Sequence, residues 1–243
     1  MPSPWSWDFA WEELLLVGAA STAYARACRR EPVPRAHVAC FTASMVLVVV
    51  AVTTPLATLA THYLLVTHLF QNVVLAEWAP ALAVLGLTRA MAARISRRRP
   101  FGILTEPLVS LPLWIANYGF WHIPVVYDAA LRHSQLLVLE HVAYFVVGVL
   151  FWWPIFQPVP RDVSSGAKAA YLFGAFVFAS PLGLLFALLP NPIYAFYETA
   201  PRLWGLDPLE DQQLGGILMA GSEAIVFFGA CCLYFVRFVS EES

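Results

Sequence analysis

Two histidines of this chain, His68 and His141, lie inside long apolar stretches of the sequence. Each is about six residues from the start of its stretch, which is roughly 9 Å along a helix axis at 1.5 Å per residue. If both stretches are helices that run inward from the same side, the two imidazole rings can meet in one layer. Asn72 and Tyr144 follow these histidines by about one helical turn, so each pair shares a helix face.

Histidines in such positions have two interpretations. Ionisable side chains inside an apolar membrane helix are costly and usually functional, and a cluster of imidazoles with few thiolates suits copper, zinc or haem iron. Alternatively, the histidines only form hydrogen bonds between helices. The spacing alone leaves both interpretations open. The sequence contains no nucleophile triad, glycine-rich phosphate loop or nucleic-acid-binding motif, so we predict no nucleic-acid partner.

We expect the chemistry to be concentrated in the stretch 121–154. It contains a Trp-His-x-Pro turn, the pair Glu140–His141 inside an apolar run, and a closing Phe-Trp-Trp-Pro segment. Two further acidic residues, Glu77 and Glu223, lie inside other apolar stretches. Glu77 is about 180° around its predicted α-helix from His68, at about 100° per residue. We therefore assign Glu77 to a different site.

The composition indicates the scaffold that must hold these side chains. Of the 243 residues, 60% are hydrophobic and 12% are charged, whereas soluble domains average about 25% charged residues. The chain is therefore predicted to be an integral membrane protein. Seven stretches approach the length of about 20 mainly apolar residues that a spanning helix needs: 8–28, 37–58, 62–87, 102–121, 135–156, 168–190 and 212–236. We predict one all-α domain, residues 1–243, built as a polytopic bundle of seven transmembrane helices.

The basic residues predict the orientation of this bundle. With the N-terminus outside, only Arg132 and Arg202 of the 14 Lys and Arg residues fall in outer segments, and the other twelve fall in cytoplasmic ones. Such an excess follows the positive-inside rule. We therefore predict the N-terminus outside and the C-terminus, at Ser243, inside. The histidines predicted in the outer half are His62, His68, His122, His133 and His141.

Four segments carry a resemblance to a known family. They are TPLATLATHYLLVTHLFQN (54–72), FWHIPVVYDAAL (120–131), LEHVAYFVVGVLFWWP (139–154) and LWGLDPLEDQQLGGILM (203–219). Together they resemble the CtaG family of cytochrome c oxidase assembly factors, over roughly residues 8 to 236. That family consists of multi-pass bacterial membrane proteins linked to maturation of the oxidase copper centre.

This sequence departs from the family pattern at three positions. The family motif that resembles HMxQH reads here from His68 to Asn72, with Leu69 in place of the methionine and asparagine in place of the second histidine. The family motif LHxLEH reads here LLVLEH, with Leu137 in place of its histidine. Asparagine is a poor ligand for Cu(I), which prefers soft or imidazole donors. His133 lies one turn before Leu137, and we expect it to replace that histidine in part.

The resemblance implies a non-enzymatic assembly factor for a haem–copper oxidase in the bacterial cytoplasmic membrane. Oxidase subunits and membrane lipid would be its partners, and copper would bind to His68, His122 and His141. The supporting residues would be Gln71, Asn72, His133, Glu140 and Asp211. A second hypothesis is an accessory subunit of a respiratory oxidase complex with a degenerate metal site. A third is a membrane redox enzyme that holds haem between paired histidines.

The segment before the last predicted helix allows a more local prediction. Aspartate at a helix N-terminus caps free backbone N–H groups and suits the helix dipole. We therefore predict that Asp211 caps the seventh helix, and that Gln212 or Gln213 turns inward toward the histidine layer.

Overall fold

The computed structural model describes residues 2–242, and every regular element in that range is a helix. In chain order they are α1 (Trp11–Cys28), α2 (Arg35–Thr53), α3 (Pro55–His62), α4 (Leu65–Leu85), α5 (Arg89–Ser96), α6 (Arg99–Leu104), α7 (Pro107–Trp121), α8 (Pro124–Arg132), α9 (Ser134–Phe156), α10 (Ser165–Leu188), α11 (Ala195–Glu198) and α12 (Pro208–Glu241). Two of these helices contain a π-helical segment, Val74–Trp78 in α4 and Ala224–Phe228 in α12. The prediction of an all-helical protein is confirmed.

Five helices within residues 2–242 are long and apolar enough to cross a membrane: α2, α4, α9, α10 and α12. The first predicted span corresponds to α1, whose 18 residues include Glu12, Glu13 and Arg26. The fourth corresponds to α7, which has 15 residues because it begins only at Pro107. The prediction of a membrane protein is thus supported by five helices, and the count of seven spans stays a prediction.

The chain between the second and third spans is divided differently from the prediction. Thr54 accepts the backbone N–H of Leu56 at 3.3 Å and caps the short helix α3, which starts at Pro55. Proline is favourable at the first position of a helix because its missing N–H would have no partner there. The backbone at Leu64 is extended, so α4 begins afresh at Leu65. His62 therefore ends α3, and His68 lies in the first turn of α4.

Close backbone contacts at glycine set the packing of the long helices. A Cβ atom at Gly216 of α12 would lie 2.5 Å from the carbonyl oxygen of Gly183 on α10. A Cβ atom at Gly148 of α9 would collide with the carbonyl oxygen of Ala76 on α4. Small residues of this kind let membrane helices approach each other closely. The contact at Gly148 holds α9 against α4, the two helices that carry most of the predicted site residues.

The ends of the helices form two polar faces. On one face the chain 2–9 packs against α3 and the residues that follow it: Tyr63 donates to the carbonyl of Pro2 at 2.5 Å, and Thr58 donates to that of Ser6 at 2.9 Å. The short helices α8 and α11 lie on this face too, next to the C-terminal end of α7. On the other face, Arg94 pairs with Glu31 at 2.5 Å. The candidate site lies below the first of these faces.

Candidate functional site

Buried polar side chains gather where α4 begins, α7 ends and α9 has completed its first two turns. The short helices α8 and α11 close this region from above and contribute tyrosines to it. The polar residues concerned are buried in the protein: His68, Asn72, His122, Tyr127, Glu140, Tyr144, Tyr194 and Tyr197. Because they come from five different helices, their arrangement depends on the packing of the whole bundle.

His68 is fully buried and held by a chain of hydrogen bonds. Its Nδ1 atom lies 2.9 Å from the hydroxyl oxygen of Tyr197, and that hydroxyl donates its single proton to the carbonyl of Ala60 at 2.5 Å. The Tyr197 oxygen must therefore accept from His68, which places the imidazole proton on Nδ1. The other ring nitrogen, Nε2, then carries a lone pair. It lies 3.7 Å from Oε1 of Glu140, a carboxylate oxygen that accepts the Asn72 amide at 3.1 Å.

His122 follows the last residue of α7 and has the same tautomer. Its Nδ1 atom lies 2.7 Å from the carbonyl oxygen of Tyr118, which can only accept, so Nδ1 is the donor. Its Nε2 atom is buried and has no hydrogen-bond partner among residues 2–242. The Tyr127 ring packs against both histidines, with centroid distances of 4.9 Å to His68 and 6.2 Å to His122. Tyr127 therefore brings these two imidazoles to one place.

His141 faces a different helix. Its Nδ1 atom lies 3.1 Å from Oε1 of Glu13 on α1, and the pair borders an apolar cavity of about 200 Å³ between α1, α2 and α9. The Nε2 atom of His141 is also buried without a partner in the described chain. Neighbouring residues of an α-helix point about 100° apart. Since Glu140 turns toward His68, His141 must turn toward α1.

The supporting residues of the sequence analysis separate in the structure. Asn72 and Glu140 join the His68 network, whereas Gln71 donates to the carbonyl of Ala51 on α2 at 2.8 Å. His133 is exposed and precedes α9 as its N-cap residue. It therefore does not take the position of the histidine that the family has at Leu137.

The capping prediction for Asp211 is wrong. Asp207 caps α12 and forms a capping box with Glu210, because the sequence places a glutamate three residues after the cap. Asp211 lies one turn inside the helix and is fully buried. Its carboxylate accepts the backbone N–H groups of Leu65 at 2.8 Å and Val66 at 2.9 Å. Asp211 therefore caps α4 from a helix far away in the sequence.

Gln212 turns inward, as predicted for one of the two glutamines, but its hydrogen-bond partners are not the histidines. Gln212 is buried, accepts the backbone N–H of Ile193 at 2.9 Å and donates to the carbonyl of Asn191 at 3.2 Å. It thus fixes the chain that leads from α10 to α11. That chain supplies Tyr194 and Tyr197 to the site.

Comparison with known proteins decides the family. A model of the cytochrome c oxidase caa3 assembly factors (Caa3_CtaG) matches residues 21–241. The chain belongs to this family. The match covers nearly the whole chain, including every histidine discussed above, and confirms the resemblance seen in the sequence.

Curated relatives of this caa3 assembly factor family member occur in mycobacteria. Uncharacterized proteins of Mycobacterium bovis and Mycobacterium tuberculosis are each 24% identical to it over 171 residues, which cover 61% of this chain and 26% of the mycobacterial protein. An uncharacterized protein of Mycobacterium leprae is 22% identical over 173 residues, 62% of this chain and 26% of that protein. The chain therefore spans only 26% of the length of these relatives. No solved structure matches it.

The donor set of this chain fits a metal only in part. Within residues 2–242, no group of three or more His, Cys, Asp or Glu side chains is placed to hold a metal ion. Individually, each of the three histidines has Nδ1 on an acceptor and a buried, unpartnered Nε2. This arrangement is typical of histidine ligands, whose second nitrogen is held by an outer partner. The residues fit copper as single imidazole donors, not as a three-histidine cluster.

Sequence reasoning missed the tyrosines that orient the histidines. Tyr197 fixes the tautomer of His68, and Tyr194 donates to the carbonyl of His122 at 3.0 Å. Tyr194 and Tyr197 are three residues apart and follow the turn-forming pair Asn191-Pro192. This pattern predicts a short helix with both rings on one face, so the sequence did contain a usable signal.

Proposed function

We propose that this chain is a non-enzymatic assembly factor that receives copper for a cytochrome c oxidase in the bacterial cytoplasmic membrane. The family assignment supports the assembly role. The observation that carries the copper part is the common state of the buried histidines: Nδ1 is anchored, and Nε2 presents an unpartnered lone pair. Copper is the cargo in this proposal, passed to an oxidase subunit.

The chemistry of the donors supports copper over harder cations. Imidazole and soft donors suit copper, whereas magnesium and calcium prefer carboxylate, carbonyl and water oxygens. His68 and His122 are the first two donors, since both pack on Tyr127. His141 is a further donor, on the side that faces α1. It would bind the ion either before or after His68 and His122 do.

We also propose seven membrane crossings with the N-terminus outside. The two polar faces of the structure support this orientation, because the basic residues at 26–35, 89–99 and 161–168 all lie away from the face that bears the chain 2–9. The positive-inside rule puts the basic face in the cytoplasm. The candidate site then lies in the outer half of the bundle, beneath α8 and α11, on the side where an exposed oxidase copper centre would approach it.

A second candidate function is an accessory subunit that no longer handles metal. The observation in its favour is the contact of Asn72, whose side-chain amide donates to Glu140 at 3.1 Å. The family resemblance places a histidine at position 72. In this chain the Asn72 side chain forms a structural hydrogen bond there instead. Such a subunit would remain with the mature oxidase.

Metal analysis of oxidase from variant strains tests the proposal. We expect removal of the chain, or His68→Ala together with His122→Ala, to lower the copper content of the purified oxidase. The matched control is His133→Ala, because this histidine is exposed and makes no contact with the site. Copper-replete oxidase in the deletion strain would refute the proposal. Retention of the chain at fixed stoichiometry in mature oxidase would favour the accessory subunit.

Restoring the family histidines supplies an independent arm of the experiment. Asn72→His with Leu137→His adds two imidazoles near α9, so we expect the purified protein to bind copper more tightly than the wild type. An unchanged affinity would show that these two positions do not face the bound ion.

A further inference from the structure

A small enclosed cavity lies beside the histidine site, between α4, α7, α9 and α12. Its volume is about 10 Å³, which is the space of about one water molecule or one metal ion. Asn72, Glu77, His122 and Met219 line it. These residues come from three helices and are buried in the interior of the protein.

Three of the polar side chains that line the cavity have an unused acceptor. Oδ1 of Asn72, Oε2 of Glu77 and Nε2 of His122 have no hydrogen-bond partner among the described residues. Each of these residues is at most 5% exposed. A buried acceptor without a partner costs about 1–3 kcal/mol. A species that accepts electron pairs would therefore be stabilised in this cavity.

Glu77 reaches the cavity because α4 is not a regular α-helix. It lies within the π-helical segment Val74–Trp78, whose i→i+5 bonds add a residue to the turn and shift the side chains that follow. The helical-wheel prediction, which placed Glu77 on another face and in a different site, assumed a regular helix. The structure puts Glu77 in one cavity with Asn72 and His122, and His68 is not among the residues that line this cavity.

The facing helix has the same feature. Glu223 of α12 directly precedes the π-helical segment Ala224–Phe228, and its Oε1 accepts the hydroxyl proton of Tyr118 at 2.6 Å. Tyr118 also lines the cavity. π-helical turns inside α-helices occur frequently at functional sites. Two buried carboxyl groups lie near one small cavity that has no Lys or Arg among its lining residues, so either group can be ionised only if a positively charged occupant compensates it.

We propose that this cavity binds one Cu(I) ion, with Nε2 of His122, the thioether of Met219 and the carboxylate of Glu77 as its ligands. The proposal rests on the proposed copper function and specifies the residues that hold the cargo. The donor set decides the metal, because a thioether and an imidazole favour copper over magnesium, calcium or sodium. His122 belongs to both the histidine pair and the cavity, so it connects the outer site to this inner one.

Competition for Cu(I) tests the assignment. The purified protein in detergent is titrated with Cu(I) under reducing conditions against a colorimetric Cu(I) chelator, and the copper-loaded protein is examined by X-ray absorption. We expect one bound ion with a sulfur neighbour. Met219→Leu and Glu77→Gln should each weaken binding at least about tenfold, since loss of even an outer-shell partner typically costs about 10- to 100-fold. The matched control is Met91→Leu, another buried methionine, at the start of α5.

The outcomes separate this inference from the proposed function. Equal affinities of Met219→Leu and Met91→Leu, with no sulfur neighbour, would overturn the cavity site. If His68→Ala removes the ion instead, copper binds at the outer histidines and the proposed function stands. If the wild-type protein binds no Cu(I), although deletion of the chain lowers the copper content of the oxidase, the cavity assignment fails and the proposed function stands. Met219→Leu preserves side-chain volume, and a thermal unfolding curve of each variant verifies its fold.

Discussion

Removal of the Asp211 carboxylate tests whether one buried side chain fastens two distant helices. The carboxylate accepts the backbone N–H groups of Leu65 and Val66 at 2.8 and 2.9 Å. These groups open α4, so they have no partner within their own helix. Asp211→Ala therefore leaves two buried donors unsatisfied.

The magnitude follows from the hydrogen bonds that are lost. Each unsatisfied buried N–H costs about 1–3 kcal/mol, so Asp211→Ala should destabilise the protein by about 2–6 kcal/mol. Asp211→Asn keeps one carbonyl oxygen and should cost about half as much. At about 2–4 °C per kcal/mol for a chain of this size class, the alanine variant should unfold about 10 °C below the wild type.

Thermal unfolding in detergent micelles, followed by tryptophan fluorescence, measures this effect. The matched control is Asp207→Ala, which removes an exposed capping box from α12 and should cost only about 1 kcal/mol. The order of stability should be wild type, Asp207→Ala, Asp211→Asn and then Asp211→Ala. A larger loss in Asp207→Ala than in Asp211→Ala would refute the assignment of Asp211 to α4.

Three further predictions concern topology, pH and packing. Reporters fused at the N-terminus and near Asp207 should respond from outside, and one at Ser243, a residue beyond the described range, from the cytoplasm; a cytoplasmic signal near Asp207 would reverse the orientation. The Thr88 hydroxyl, which donates to the carboxylate, and the Arg94 guanidinium lower the pKa of Glu31. This contact should therefore stabilise the protein at neutral pH and lose its effect as the pH falls through that lowered pKa, and Glu31→Gln should remove this part of the pH dependence of the unfolding temperature. Gly216→Ala should cost about 1–3 kcal/mol by overpacking, whereas Gly221→Ala, with open space around it, should not destabilise the fold in the same assay.

The sequence predicts the helices of this protein better than it predicts their contacts. Apolar runs and proline positions locate α2, α4, α9, α10 and α12 to within a few residues. The cap of α12 was also present in the sequence, because the segment Asp207-Pro-Leu-Glu210 has the spacing of a capping box. The prediction chose Asp211 instead, since composition alone does not show which of several acidic residues faces its own helix end.

The pairing of the site residues depends on geometry that the sequence does not specify. Equal depth in the membrane suggested that His68 meets His141; in the structure Glu140 approaches His68, and Nδ1 of His141 faces Glu13 on α1. A regular helical wheel separated Glu77 from His68; the structure adds that Glu77, within the π-helical segment of α4, lines a cavity with His122. Both contacts depend on the angle of a residue about its helix axis, and only tertiary packing fixes that angle.

The unpartnered atoms of the site bear on its function. Among the described residues they include the acceptors Asn72 Oδ1, Glu77 Oε2, Glu140 Oε2 and the Nε2 atoms of His68 and His122, together with the hydroxyls of Tyr127 and Ser222 as available donors. Each unpaired buried group lowers stability, and such acceptors are satisfied by protons, by water or by a cation. Under the proposed copper function, a soft cation would use the imidazole lone pairs and the Met219 thioether together, whereas a proton or a water molecule would leave the thioether unused.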